Sequence, residues 1–291
     1  MISCIITVND MNTVVIIGGG ASGMMAALSA SEDKKNNVIL LERQQRVGRK
    51  LLSTGNGRCN LTNVNAAPEN YHGEQPEFAS RVLESFTPAD TLRFFDSLGL
   101  LTETEYGGRV YPRSNSANSV VDVLRHALER ENVSVKTSCP AREIARRGGG
   151  FIVRTDQGEI AADFVIVSCG GAAGAKVGGV MDGYELLKAL GHKRTALRPA
   201  LVQLVTDPAY PRALKGVRAN AVLRLEAGGE TLAVSRGELQ FTETGLSGPA
   251  AFDISRAASE AGSGRVHIDL LPGVDDLEAR LRQRCCKNPD M

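Results

Sequence analysis

Gly18, Gly20 and Gly23 stand at the spacing G-x-G-x-x-G, directly after the β-branched run Val14-Val15-Ile16-Ile17 and at the start of the small-residue stretch Met24 to Ala30. A strand that feeds a glycine turn and then a helix suits a nucleotide diphosphate. The helix offers unpaired N–H groups and the positive end of its dipole, and glycine lets the backbone come up to the phosphates. Gly18 permits the tight turn, Gly20 the close approach and Gly23 the packing of helix on sheet, with Ala21 and Ser22 completing the turn. Glu42 ends a second apolar run, Val38-Ile39-Leu40-Leu41, 22 positions after Gly20. There a carboxylate can accept from both hydroxyls of a ribose. Strand, fingerprint, helix, strand and acid in that order predict a dinucleotide site, and the fingerprint alone does not separate NAD from FAD.

The elements that must hold these residues read as follows. The two apolar runs, each without polar alternation, predict strands buried on both faces of a parallel sheet. The polar, glycine-bearing connection from Arg43 to Asn63 is too long for an ordinary turn, which points to function. Helices are predicted over Phe78 to Phe86, from the cap Thr87-Pro88 to a stop before Gly99, and from Ser119, with Asp122 three residues after that cap. Strands are predicted at Val133 to Lys136, in a hairpin around Thr155-Asp156-Gln157-Gly158, and, as another buried strand, at Phe164 to Val167. His192 follows Gly191 and reads as a helix end. Beyond about Thr195 the texture changes: Ala221 to Leu225, Thr231 to Val234 and Val266 to Leu270 are strand-like, Gly228-Gly229 is a turn, and no long amphipathic helix is expected between them. A second, mainly β domain follows. The helical pattern of Asp275 to Arg284 comes after it.

Composition narrows the function. With 42% hydrophobic and 23% charged residues in 291, the chain has the makeup of a folded globular protein. Its 34 basic and 33 acidic residues carry no electrostatic footprint for nucleic acid or an anionic membrane. No apolar run approaches the length of a spanning helix. Six cysteines without a C-x-x-C pair, and four histidines away from ligand spacing, predict reduced thiols, a cytoplasmic setting and no metal site. Residues 1–10 lack a basic n-region and read as an extension before an alternative start at Met11.

Val47 to Asn63, with Gly55-Asn56-Gly57-Arg58-Cys59-Asn60 as its most specific part, resembles the BaiN-like family of FAD-dependent, NAD(P)-related oxidoreductases, some of whose members are known as aminoacetone oxidases. Further matches are Gly108 to Pro112, Ser168-Cys169-Gly170-Gly171, Asp182-Gly183-Tyr184, Ala189 to His192, Pro199 to Val202 and Gly237 to Pro249, so the resemblance runs from about Met11 to Pro272. It implies an α/β chain with a Rossmann-like FAD-binding domain of the glutathione-reductase type and an inserted, mainly β domain of barrel type. The boundaries are residues 1–10 for the extension, 11–194 for the FAD-binding domain, 195–272 for the inserted domain and 273–291 for a helical start and tail. On that resemblance Ser22 and Gly23 meet the pyrophosphate and Glu42 the adenosine ribose, with Arg43 beside it. Arg49, Lys50 and Gly55 face the phosphates or flavin edge, and Asn56, Gly57, Arg58, Cys59 and Asn60 complete the expected cofactor-binding set. Backbone near Ala141 faces the adenine, and Gly170 and Gly171 cross close to the nucleotide.

The residues themselves leave alternatives open. The alternative for Arg49, Lys50 and Arg58 is a solvated basic loop. Cys59 has no partner for a flavin–disulfide relay and reads as a packing residue. Asn56, Asn60 and Asn63 either donate to flavin carbonyls or cap turns. Arg109 and Tyr111 line a substrate pocket or build a loop. Vicinal Cys285-Cys286 carries no specific expectation, and no catalytic residue is singled out.

The expected activity is hydride exchange between bound flavin and a small organic substrate. No second fingerprint follows a strand, so NAD(P)H enters only as a transient donor. The rival readings are an NAD-dependent dehydrogenase, which would lack a flavin spectrum, and a non-catalytic fragment that keeps only the dinucleotide cradle. The family's return segment is expected after the inserted domain and is missing from the sequence, which predicts weak FAD retention, weaker than nanomolar.

Overall fold

The computed structural model describes residues 11–73 and 75–287. The expected extension at residues 1–10, including Cys4, and the last four residues of the tail lie outside the described residues. The chain divides into two compact units between Arg194 and Thr195.

The first unit is built in the order β1 (Asn12–Ile17), α1 (Ala21–Ala30), β2 (Asn36–Leu41), β3 (Thr62–Asn63), α2 (Glu77–Ser85), α3 (Pro88–Ser97), β4 (Thr102–Thr104), β5 (Arg109–Pro112), α4 (Ala117–Ala127), β6 (Val133–Lys136), β7 (Ala141–Arg147), β8 (Gly150–Thr155), β9 (Gly158–Ala162), β10 (Phe164–Val167) and α5 (Asp182–Ala189). Its main sheet is parallel, in the order β10-β1-β2-β6; the expectation of a buried strand at Phe164 to Val167 is corrected, since β10 lies at the sheet edge with Phe164 and Ile166 exposed. The order reverses at β1: the chain steps outward through β2 and β6, then returns to place β10 on the other side. In open α/β sheets a ligand crevice forms at the carboxyl ends of strands at such a reversal. The return connection is the antiparallel meander β7-β8-β9, and its hairpin turns at Asp156 and Gln157.

β1 is buried on both faces, as its unbroken apolar run predicts. Val14 and Ile16 join Met24 and Leu28 of α1 and Val120 and Leu124 of α4. Val15 and Ile17 face Ile144 and Val153 of the meander and Leu186 of α5. α4 begins earlier than its pattern suggested: Ser116, not Ser119, is the cap, with its hydroxyl accepting from the Asn118 N–H, while Ser119 bonds Ser114. Asp122 therefore sits in the helix body beside Arg125. α5 ends at Gly191 (φ 92°), where the Gly191 and His192 N–H groups return to Lys188 and Leu187, a helix-end role for His192.

The second unit runs β11 (Leu204–Val205), α6 (Ala209–Ala213), β12 (Arg218–Ala227), β13 (Glu230–Phe241), β14 (Gly245–Ser247), α7 (Pro249–Ala261), β15 (Arg265–Asp269) and α8 (Leu277–Lys287). Its antiparallel sheet has the order β11-β14-β13-β12-β15. Gly228 and Gly229 both take positive φ, 61° and 86°, and close the β12–β13 hairpin as a two-residue loop. The expectation of no long helix here is corrected. α7 spans 13 residues, opens with Pro249 at its first position and buries Ala250, Ala251 and Ile254 against Leu223 and Leu239. Its buried face is made mostly of small residues, Ala250, Ala251 and Ser255 beside Ile254. They let the helix lie close to the sheet, where an added Cβ at Gly237 would touch Ala250 at 3.8 Å. Among the described residues no helix is long and apolar enough to cross a membrane.

At the start of α3, the Thr87 hydroxyl accepts from the Asp90 N–H at 3.1 Å and the Asp90 carboxylate accepts from the Thr87 N–H at 2.8 Å. The Thr87 hydroxyl and N–H, then Arg93, hold the Asp90 carboxyl below its ordinary range. A carboxyl lowered by folding stabilises above its unfolded pKa of about 3.9, and that support is lost as pH falls through the folded value. Asp90→Ala is therefore expected to lower the melting temperature at neutral pH. The gap from wild type should narrow as pH falls below the unfolded carboxyl pKa of about 3.9; a gap of the same size at neutral and at acid pH would contradict this account of the cap.

Candidate functional site

A cleft of about 370 Å³ opens at the carboxyl ends of β1, β2 and β10. Its floor is the glycine turn, and each glycine there answers a different constraint. Gly18 has φ 111°, and a Cβ on it would lie 2.5 Å from the Ser168 carbonyl oxygen. A Cβ on Gly23 would lie 1.8 Å from the Gly18 oxygen, so α1 rests directly on the turn it follows. Gly20 has no atom within 4 Å of a Cβ position. Its side is open to a ligand. α1 has no side-chain cap and no acid in its first turn, so its leading N–H groups and positive dipole end are free to meet an anion.

Glu42 joins the two strand ends. Oε2 accepts from the Gly19 N–H at 2.9 Å and Oε1 from the Gln44 N–H at 2.7 Å. Carboxylate oxygens have further lone pairs, so both can still accept from a ligand hydroxyl. The Ser168 hydroxyl, just past β10, donates to the Ile17 and Gly18 carbonyls at 3.0 and 3.1 Å and ties the returning strand to the turn.

Three cations line the cleft. Arg43 pairs with Asp182 at 3.3 Å, Arg49 donates to the Gln44 side chain at 2.8 Å, and the Lys50 ammonium donates to the Ala173 carbonyl at 2.9 Å. Cys169 also lines it; burial first, then the charges of Asp182 and Glu42, pushes its thiol up to about 11. It stands as a neutral thiol at neutral pH, directed at the Ile17 carbonyl.

Of the residues singled out from sequence, Gly18, Gly20, Ala21, Ser22, Glu42, Arg43, Arg49, Lys50, Ala141 and Gly170 line this one cleft. Gly23 lies beneath it as the packing glycine. Gly171, Gly55, Asn56, Gly57, Arg58, Cys59 and Asn60 are not in its lining. Gly171 lies against the Tyr184 hydroxyl. Arg58 donates to Asn115 at 2.8 Å, pairs with Glu105 and stacks on Tyr111 at 4.0 Å. Cys59 is buried in the core, and burial pushes its thiol up. Tyr111 is buried and does not line the cleft, and nor does Arg109. Sequence reasoning did not choose Cys139, Ser168, Cys169, Asp182 or Leu186, all of which line it. Ser168, Cys169 and Asp182 fell within stretches that carry the family resemblance, and the apolar run of β10 ends beside the first two.

A parallel sheet with a glycine turn, an acid at the next strand end and a cleft at the order reversal defines a Rossmann-type nucleotide site. The chain matches the HI0933-like protein Rossmann domain over residues 12–267 and belongs to that family. It is 41% identical over 243 residues to the 3-dehydro-bile acid delta(4,6)-reductase of Clostridium scindens, covering 82% of this chain and 59% of that protein. It is 29% identical over 249 residues to the ribosomal RNA dihydrouridine synthase of Escherichia coli, covering 84% and 60%. The chain thus spans about three-fifths of the length of these curated relatives. The solved structure of Thermovibrio ammonificans THI4 is similar with a TM-score of 0.39 and 12% identity, over 71% of this chain and 72% of that one.

The glycines give a paired test. Gly23→Ala must displace the turn and is expected to cost about 1–3 kcal/mol of stability. Gly20→Ala enters open space and is expected to stay within about 0.5 kcal/mol of wild type. Urea unfolding followed by circular dichroism measures both, and equal costs would contradict the packing role given to Gly23.

Proposed function

We propose that the cleft holds FAD and that the chain serves a flavin-dependent oxidoreductase in which hydride passes between the flavin and a small organic substrate. The observation that carries the reading is the convergence of the open Gly20 turn, the Glu42 carboxylate and Ala141 on one cleft at the sheet's reversal. The residues fit such a group. Gly20 leaves room for a diphosphate, and the uncapped start of α1 with Ser22, Arg49 and Lys50 supplies donors and positive charge for it. Glu42 would take the ribose hydroxyls, with Arg43 beside it, and the Ala141 backbone would meet the adenine. Leu51, Thr54 and the backbone at Gly170 would face the flavin half. Flavin supplies hydride transfer when bound; these residues bind it, orient it and set its electrostatics.

Family membership and the 41% identity to a protein named as a reductase support this reading. NAD(P)H as a transient donor belongs to the same proposal. So does a cytoplasmic setting, which the free cysteines among the described residues support.

The chain has no tryptophan, so the flavin's own emission is the natural signal. Titration of the chain into FAD is expected to change that emission saturably, with reversal by ADP. Unchanged emission at about 100 μM protein would overturn the reading. Stopped-flow mixing of the loaded protein with NADH or NADPH is expected to bleach the flavin with one of them; bleaching by neither removes the nicotinamide donor.

A further inference from the structure

The chain leaves the cleft at Thr54 and enters a turn in which four of five residues are left-handed: Gly55 (φ 54°), Asn56 (57°), Gly57 (85°) and Cys59 (60°). Asn56 and Cys59 pay a steric cost there that glycine avoids, so neighbouring structure must hold them. The exception is Arg58, in the right-handed region at φ −96° and ψ −17°.

Its side chain reaches three partners on other segments. Nε donates to Asn115 Oδ1 at 2.8 Å, the guanidinium pairs with Glu105, and its Cζ lies over the Tyr111 ring, 4.0 Å from the ring centre. Only arginine can make the forked pair and the stack together. Gly55 presses on the same ring: a Cβ there would lie 3.1 Å from Tyr111 Cε1 and 2.5 Å from the Asn60 nitrogen. Both limbs of the turn thus close on Tyr111.

The turn is tied back to the cleft. The Cys59 N–H donates to the Thr54 carbonyl at 3.0 Å, the Thr54 hydroxyl to the Leu51 carbonyl at 2.6 Å, and the Ser53 N–H to the Lys50 carbonyl at 3.2 Å. Lys50, Leu51 and Thr54 all line the cleft, and Arg58 does not.

We infer that Arg58 is a positioning residue: its clamp on Glu105, Asn115 and Tyr111 holds the left-handed turn closed and so fixes Thr54 and Leu51 in the cleft wall. The inference rests on the FAD reading and gives Arg58 a role other than phosphate contact.

The test is a double-mutant cycle on Arg58→Met and Glu105→Ala, reading dissociation constants for FAD and for ADP together with the melting temperature. Each single substitution is expected to weaken FAD about tenfold and ADP less than about twofold, because the wall serves the flavin half. The double variant should be no weaker than Arg58→Met alone, as residues acting through one contact are not additive. If Arg58→Met weakens FAD while Glu105→Ala leaves it unchanged, Arg58 touches the ligand directly and the inference fails. If both lower only the melting temperature, the clamp is merely structural and the inference fails as well. Wild-type protein that binds neither FAD nor ADP would remove the FAD reading itself, and the inference with it.

Discussion

The Glu42 carboxylate spans the gap between two strand ends, taking the Gly19 N–H on one oxygen and the Gln44 N–H on the other. The shape of the cleft depends on that bridge. It fixes the glycine turn after β1 against the segment that follows β2, and the Gly48 N–H to Gly19 carbonyl bond at 2.8 Å adds a second tie. Ser168 then pins the end of β10 to the same turn, so three strands deliver their carboxyl ends to one place. A carboxylate holding backbone N–H groups cannot drift, and it keeps lone pairs for a ligand. Glu42 is thus both a structural fastener and a candidate ribose acceptor.

The packing behind this turn explains why β1 carries no polar residue between Val14 and Ile17. One face is closed by helices α1 and α4 and the other by the β7-β8-β9 meander with α5. A meander in place of a crossover helix brings Cys139 and Ala141, at its start, to the rim of the cleft. The second unit solves its own burial problem differently, with a single helix, α7, laid on one face of an antiparallel sheet.

Much of the first unit was legible because its signals are local. β1, the glycine turn, α1, β2 and Glu42 occupy one continuous stretch, and periodicity with glycine spacing is enough to read them. The far wall of the cleft was not legible in the same way. Ser168 and Asp182 come from residues more than a hundred positions later, and only the sheet order shows that β10 returns beside β1. α7 escaped because its buried face is built mostly from alanine and serine rather than large apolar residues, and Ser119 displaced Ser116 as a cap because serine recurs every few residues there. Arg58 shows a third kind of limit: its charge suggests an anion, while its partners, Glu105 on the hairpin turn and Tyr111 on β5, are set by tertiary pairing of β3, β4 and β5.

The most direct measurement is a crystal structure of the chain grown with FAD. The account predicts the diphosphate over Gly20, Ala21 and Ser22, the adenosine ribose hydroxyls within hydrogen-bond reach of Glu42, and the adenine beside Ala141. FAD bound elsewhere, or bound in the cleft with its ribose turned away from Glu42, would contradict it.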